Sequence, residues 1–147
     1  MDRRTLIKNI GFVVFYTFCL NSKADAGEVK CQACGMSIND HGRNHIFLRS
    51  NSQNKSLHAC SPSCAKKMRK YDSSYSEVQV VDFNHPEKII NGDEAYFLIR
   101  SSKIKSDMGE NVMAPYAAAF ATEEEADAAQ KKYGDGVVVK GADNAFK

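Results

Sequence analysis

One order of elements, strand, strand, helix, strand, occurs twice in this chain and narrows what it can fold into more than any other feature. In the first copy, His45 to Ser50 alternates apolar and polar residues as a strand does, and Ser56 to Ala59 supplies a second strand. Ser61 then caps a helix from Pro62 to Tyr71, and Glu77 to Phe83 returns as a third strand through Val78, Val80 and Val81. In the second copy, Glu94 to Arg100 is a strand and Ala117 to Ala121 a short apolar one. Thr122 caps a helix from Glu123 to Tyr133 with Glu125 at the capping-box position, and Gly136 to Lys140 closes with Val137, Val138 and Val139. Asn84 to Asp93, which holds Pro86 and Gly92, reads as the linker between copies. Ser101 to Pro115 reads as a long irregular stretch, a length that points to function in so small a domain. The expected fold class is therefore α+β, two ββαβ half-domains of about 31–83 and 94–140 packed together in a single domain of residues 27–147.

The first 26 residues belong to a different class. Arg3, Arg4 and Lys8 make a basic start, Ile10 to Leu20 is an apolar run, and Ala24-Asp25-Ala26 places small residues where a signal peptidase reads. Residues 1–26 are expected to be a cleavable signal peptide, which places the mature chain in the periplasm. The apolar run falls well short of the roughly 20 residues a membrane-spanning helix needs. Asp2 to Lys8 resembles the twin-arginine consensus, so export unfolded or already folded both stand open. Cys19 follows Phe18, where a lipoprotein signal wants a small residue, so no lipid anchor is expected and Cys19 leaves with the signal. Without residues 1–26 the chain carries 16 Lys/Arg and 16 Asp/Glu, a balance that excludes a nucleic-acid footprint. The cluster Lys66, Lys67, Arg69 and Lys70 reads as the solvated face of a helix.

Chemistry concentrates in two thiol pairs, Cys31-x2-Cys34 and Cys60-x3-Cys64. Both can converge on one soft metal ion, and Gly35 lets the chain turn directly after Cys34. The Ser61 cap puts Cys64 in the first turn of its helix, where the dipole lowers a thiol's pKa. Three readings fit this spacing: sulfur-bound Cu(I), a structural Zn2+ held by four cysteines, and disulfides, for which four cysteines allow three pairings. His58, two residues before Cys60, is a candidate imidazole ligand; His41, His45 and His85 read as surface residues and Met68 as core filling.

Several stretches resemble the NosL proteins, accessory copper chaperones of nitrous oxide reductase. They are Cys31-Gln32-Ala33-Cys34-Gly35-Met36, the strand Ala95 to Ile99, Asp107-Met108-Gly109, Ala119 to Ala126, and Tyr133 to Val138. The resemblance spans residues 31 to about 139 and implies export, two ββαβ halves, and Cu(I) bound through sulfur. It also implies Cys34, Met36 and Met108 as copper ligands beside Cys31, Cys60 and Cys64, with Met113 a second methionine on the same stretch. Thioethers bind without deprotonation and cannot be lost to disulfides in an oxidising compartment. The chain departs from the family pattern in its signal, which lacks the lipid-anchoring context many members have, and in the additional pair Cys60 and Cys64.

No glycine-rich phosphate loop, G-x-S-x-G or H-E-x-x-H occurs, and Gly35 directly after Cys34 does not suit a redox C-x2-C that opens a helix. No catalytic residues are expected. The function that follows is an exported Cu(I) metallochaperone with two partners, a copper-accepting apo-enzyme (nitrous oxide reductase) and a membrane maturation complex. The rival is an extracytoplasmic module stapled by zinc or disulfides that delivers no metal.

Overall fold

The structure, a computed structural model, describes residues 28–39, 42–109 and 112–147. Residues 1–26, for which a signal peptide is expected, with Cys19 among them, and His41 lie outside the described residues. Strands β1 (Val29–Lys30) and β2 (Ser37–Ile38) form a small antiparallel ribbon. The first half follows with β3 (Ile46–Arg49), β4 (Ser56–Ala59), α1 (Pro62–Tyr71), β5 (Glu77–Val81) and β6 (Ile89–Asn91). Its four strands make an antiparallel sheet in the order β4-β3-β5-β6. The second half contains β7 (Tyr96–Ile99), α2 (Lys105–Met108), β8 (Ala117–Phe120), α3 (Glu123–Tyr133), β9 (Val137–Lys140) and α4 (Ala142–Ala145). Its sheet runs β8-β7-β9, again antiparallel.

The fold is mixed α+β, and the strand, strand, helix, strand order occurs in both halves. In each, the first strand of the unit lies at the centre with the other two on either side. Two expectations need refinement. The linker Asn84–Asp93 contributes β6 to the first sheet, because Ile90 has a place in the core beside Val80. The stretch 101–115 contains the short helix α2, because Ile104 and Met108 are buried on one side of it.

Local chemistry explains both main helices. Ser61 is extended (φ −160°, ψ 160°), its hydroxyl accepts from the Cys64 N–H, and Pro62 occupies the first turn, where no intrahelical N–H bond is lost. Thr122 does the same for α3 by accepting from the Glu125 N–H, and Gly134, at φ +72°, ends that helix by donating to the Gln130 carbonyl. Alternation along β7 sends its side chains to two cores. Phe97 and Ile99 join Leu48, Val78, Ala65 and Met68 in the first, while Tyr96 and Leu98 join Ile104, Met108, Phe120 and Ala126 in the second. The first core thus contains residues of both halves, and Phe146 after α4 meets Phe97 edge-on within it. The sheets also meet through main chain: Phe83 N–H donates to the Ala119 carbonyl at 2.7 Å, beside a parallel bridge between Asp82 and Ala119.

Met68 fills core, as its helical position implies. His45 differs from expectation. It is 1% exposed, stacked on Phe47 at 3.9 Å, with Nε2 2.8 Å from Nδ1 of His58. The cross-strand register that pairs Phe47 with His58 brings these rings together, a relation invisible in the spacing of the histidines. Among the described residues, no helix is long and apolar enough to cross a membrane.

Candidate metal centre

Cys31 and Cys34 sit in the turn that joins β1 to β2. Cys31 N–H donates to the Met36 carbonyl at 2.9 Å and Gly35 N–H to the Cys31 carbonyl at 2.8 Å, which closes the turn into a tight knuckle. Gly35 holds φ +74°, a left-handed conformation that glycine adopts without steric cost. The knuckle is fastened to the edge strand β4 by Gln32, whose N–H donates to the His58 carbonyl at 3.1 Å and whose side-chain carbonyl accepts from the His58 N–H.

The second pair belongs to the junction of β4 and α1. Cys60 is the residue before the Ser61 cap, and Cys64 is the residue whose N–H the cap accepts, at 3.3 Å. Capping therefore fixes the backbone of both cysteines relative to the helix start. The buried side chain of Asn44 adds a bond to the Cys60 carbonyl at 3.2 Å. Neither Gln32 nor Asn44 is singled out by sequence reasoning, because each supports the site across chain segments and carries no spacing signal of its own.

The four sulfur atoms lie within 4.8 Å of one another. Cys34 Sγ is 3.5 Å from Cys60 Sγ, and Cys60 Sγ is 3.8 Å from Cys64 Sγ; all four are free thiols. Four sulfurs bound at about 2.3 Å around a tetrahedral ion stand roughly 3.8 Å apart, so this cluster has the size of a metal–thiolate centre. Cys31, Cys60 and Cys64 are buried, whereas Cys34 is exposed. Burial pushes the Cys31 thiol up, but N–H groups of Cys60, Ala33 and Cys34 that point at its sulfur outweigh this and lower it to about 7. Burial pushes Cys60 and Cys64 up, and the neighbouring Cys31 adds to the rise in both. The helix start therefore does not produce the low-pKa Cys64 expected from the dipole alone: desolvation and the crowd of sulfurs win. A metal ion that displaces these protons removes the conflict, since it neutralises the thiolates it binds.

Of the residues proposed from sequence, the structure brings Cys31, Cys34, Cys60 and Cys64 together. Met36 is half-buried at the base of the knuckle, packed against the first core. Met108 is placed elsewhere. It ends α2, is 2% exposed, and belongs to the second core with Phe83, Leu98 and Phe120. Its neighbour Asp107 is tied down by the Tyr133 hydroxyl at 2.5 Å and Lys132 Nζ at 3.2 Å, while Arg43 donates to the Asp107 carbonyl at 3.0 Å. These bonds make a pinned segment of what reads in sequence as an open loop. Met113 is 40% exposed. His58 is half-buried and engages His45. His85 is at the surface, 3.5 Å from the buried carboxylate of Asp82.

No protein-family model matches the chain, and no curated protein matches it. Among solved structures, the chain is similar to the crystal structure of the copper chaperone NosL from Shewanella denitrificans, with a TM-score of 0.59 and 23% sequence identity. The match covers 76% of this chain and 85% of that one. The two chains share a fold, and the α+β architecture read from the repeated element order is NosL-like.

Proposed function

We propose that this chain is an exported Cu(I) carrier that hands copper to an apo-enzyme in the periplasm, nitrous oxide reductase in the reading the NosL resemblance implies. The observation that carries the proposal is the convergence of four cysteine sulfurs within 4.8 Å on a NosL-like fold. Thiolates are soft donors that favour Cu(I) over harder ions. Delivery also needs a way out for the ion. Cys34 is exposed and offers an acceptor's ligands a side from which to displace the cysteines one at a time, a transfer by ligand exchange with no bond-making catalysis. A membrane maturation complex would be the natural setting for such a handover. Copper at this centre rests on the four cysteines and does not call on Met108, which the second core occupies.

A second reading, a structural Zn2+, is favoured by the sulfur–sulfur distances of 3.5 and 3.8 Å and by the burial of three of the four cysteines. Competition decides between them. The reduced protein is offered Cu(I) and Zn2+ together against chromophoric chelators of each. Carrier function predicts preferential Cu(I) uptake, weakened at least about a hundredfold in Cys60→Ser, because one sulfur leaves the centre of the cluster. Retained zinc, with thermal unfolding on its chelation, would establish the structural reading instead.

A further inference from the structure

Beside the sulfur cluster, a groove of about 560 Å3 runs between α1, the end of β7 and α4. It begins at Pro62 and Ser63, the two residues between the Ser61 cap and Cys64. Its rims carry Lys66, Lys67, Lys70, Arg100 and Lys147, and no carboxylate side chain lines it. Asp143 on α4 lies outside that lining and is engaged by Arg69 at 2.7 Å; within the groove Lys66 Nζ donates to the Lys147 main-chain oxygen at 3.2 Å and Lys147 Nζ to the Asn144 side-chain carbonyl at 2.8 Å, so no side-chain carboxylate answers its cations. The floor is apolar, with Ile99, Tyr116 and Phe146. Sequence reading takes the α1 lysines for an ordinary solvated helix face, but a solvated face has no concave apolar floor opposite it.

Three further observations give the groove a direction. Arg100 adopts φ +59°, the left-handed region that long side chains rarely occupy, and its exposed side chain is delivered to the groove in that strained conformation. Ser63, Lys66, Lys67 and Lys70 lie three or four residues apart on one face of α1, and Tyr71, four residues after Lys67, continues that face with 80% of its surface exposed. Charge is also segregated within the molecule: the acidic start of α3, Glu123 to Glu125, belongs to the helix that packs on the Leu98 face of the second sheet, whereas Ile99 points to the groove side.

We propose that this groove docks an acidic segment of a partner polypeptide, one that places an apolar side chain on the Ile99–Phe146 floor. A concave site with cations on its rims fits an extended chain, whereas an anionic membrane is met by a convex basic surface. Because the groove starts at Ser63, a docked partner lies next to Cys64 and the metal centre; that consequence rests on the delivery reading above, while binding itself does not.

The probe is a fluorescein-labelled Glu/Asp-rich peptide with one central Phe, followed by anisotropy with the full chain, and vesicles containing phosphatidylglycerol serve as the alternative ligand. Binding is expected to weaken with salt and to fall at least about tenfold in Lys66→Glu/Lys70→Glu and in Arg100→Glu. The reversal Lys55→Glu/Lys131→Glu, of equal charge on exposed lysines outside the groove, is expected to keep it. Unchanged binding in the groove variants, equal loss in the control variant, or binding to vesicles without binding to peptide would each overturn the proposal. Cu(I) uptake measured on the same variants should not change. A chain that takes no Cu(I) yet loses peptide binding as described would refute delivery and leave the groove standing.

Discussion

The two halves solve the same structural problem at their strand-to-helix junctions and put the solution to different uses. In the first, Ala59-Cys60-Ser61 leads into α1 and the Ser61 hydroxyl accepts from Cys64; in the second, Phe120-Ala121-Thr122 leads into α3 and the Thr122 hydroxyl accepts from Glu125. Both cap bonds measure 3.3 Å. The cap therefore fixes the same two flanking positions in each half. Where the first half has Cys60 and Cys64, the second has Ala121 and Glu125. The capped junction is thus a general device for holding two side chains in a set relation, and cysteine at those two positions makes half of a metal centre from it. The other half comes from the β1–β2 knuckle, for which the second repeat has no counterpart among the described residues.

The comparison can be tested at decreasing size of effect. Phe97 joins the halves from the centre of the second sheet and is 1% exposed, so Phe97→Ala should destabilise the whole molecule by roughly 3–5 kcal/mol, read as a lowered denaturant midpoint. Separate loss of the two halves in that titration would show that they are less coupled than the shared core requires. Met108→Ala should cost about 2–4 kcal/mol of stability through the second core while Cu(I) affinity in the folded protein stays unchanged. A large fall in affinity would return Met108 to the ligand set implied by family resemblance. Ser61→Ala and Thr122→Ala should each cost about 1 kcal/mol in the metal-free protein, as equivalent caps do. Finally, Ala121→Cys/Glu125→Cys should add no tight Cu(I) site, because among the described residues no second cysteine knuckle faces that junction; a second equivalent of tightly bound copper would break the asymmetry.

Much of this architecture is legible in sequence for local reasons. Runs such as Val78 to Val81 and Val137 to Val139 mark strands, and Ser61 and Thr122 mark helix starts, because period and capping act over a few residues. The two-residue strands β1 and β2 are too short to show a period, and β6 is made a strand by its pairing with β5. The site is legible in part. Close cysteine spacing announces each pair, but their meeting depends on Gln32 gripping the backbone of His58, a contact between segments far apart in sequence. The same limit applies to His45, which the β3–β4 register buries, and to Met108, whose flanking polar and glycine residues read as loop while Tyr133 and Arg43 hold the segment against the body.

The knuckle contributes two of the four sulfurs from a ribbon only two residues long on each side, fastened to β4 at Gln32. Cys31 alone of its two cysteines is buried in the first core. Loss of the two Gln32–His58 bonds would loosen the segment that carries Cys31 and Cys34, while the Ser61 cap would still hold Cys60 and Cys64 at the start of α1. The seating of half of the sulfur cluster is thus borne by a residue that contributes no sulfur itself, the glutamine next to Cys31.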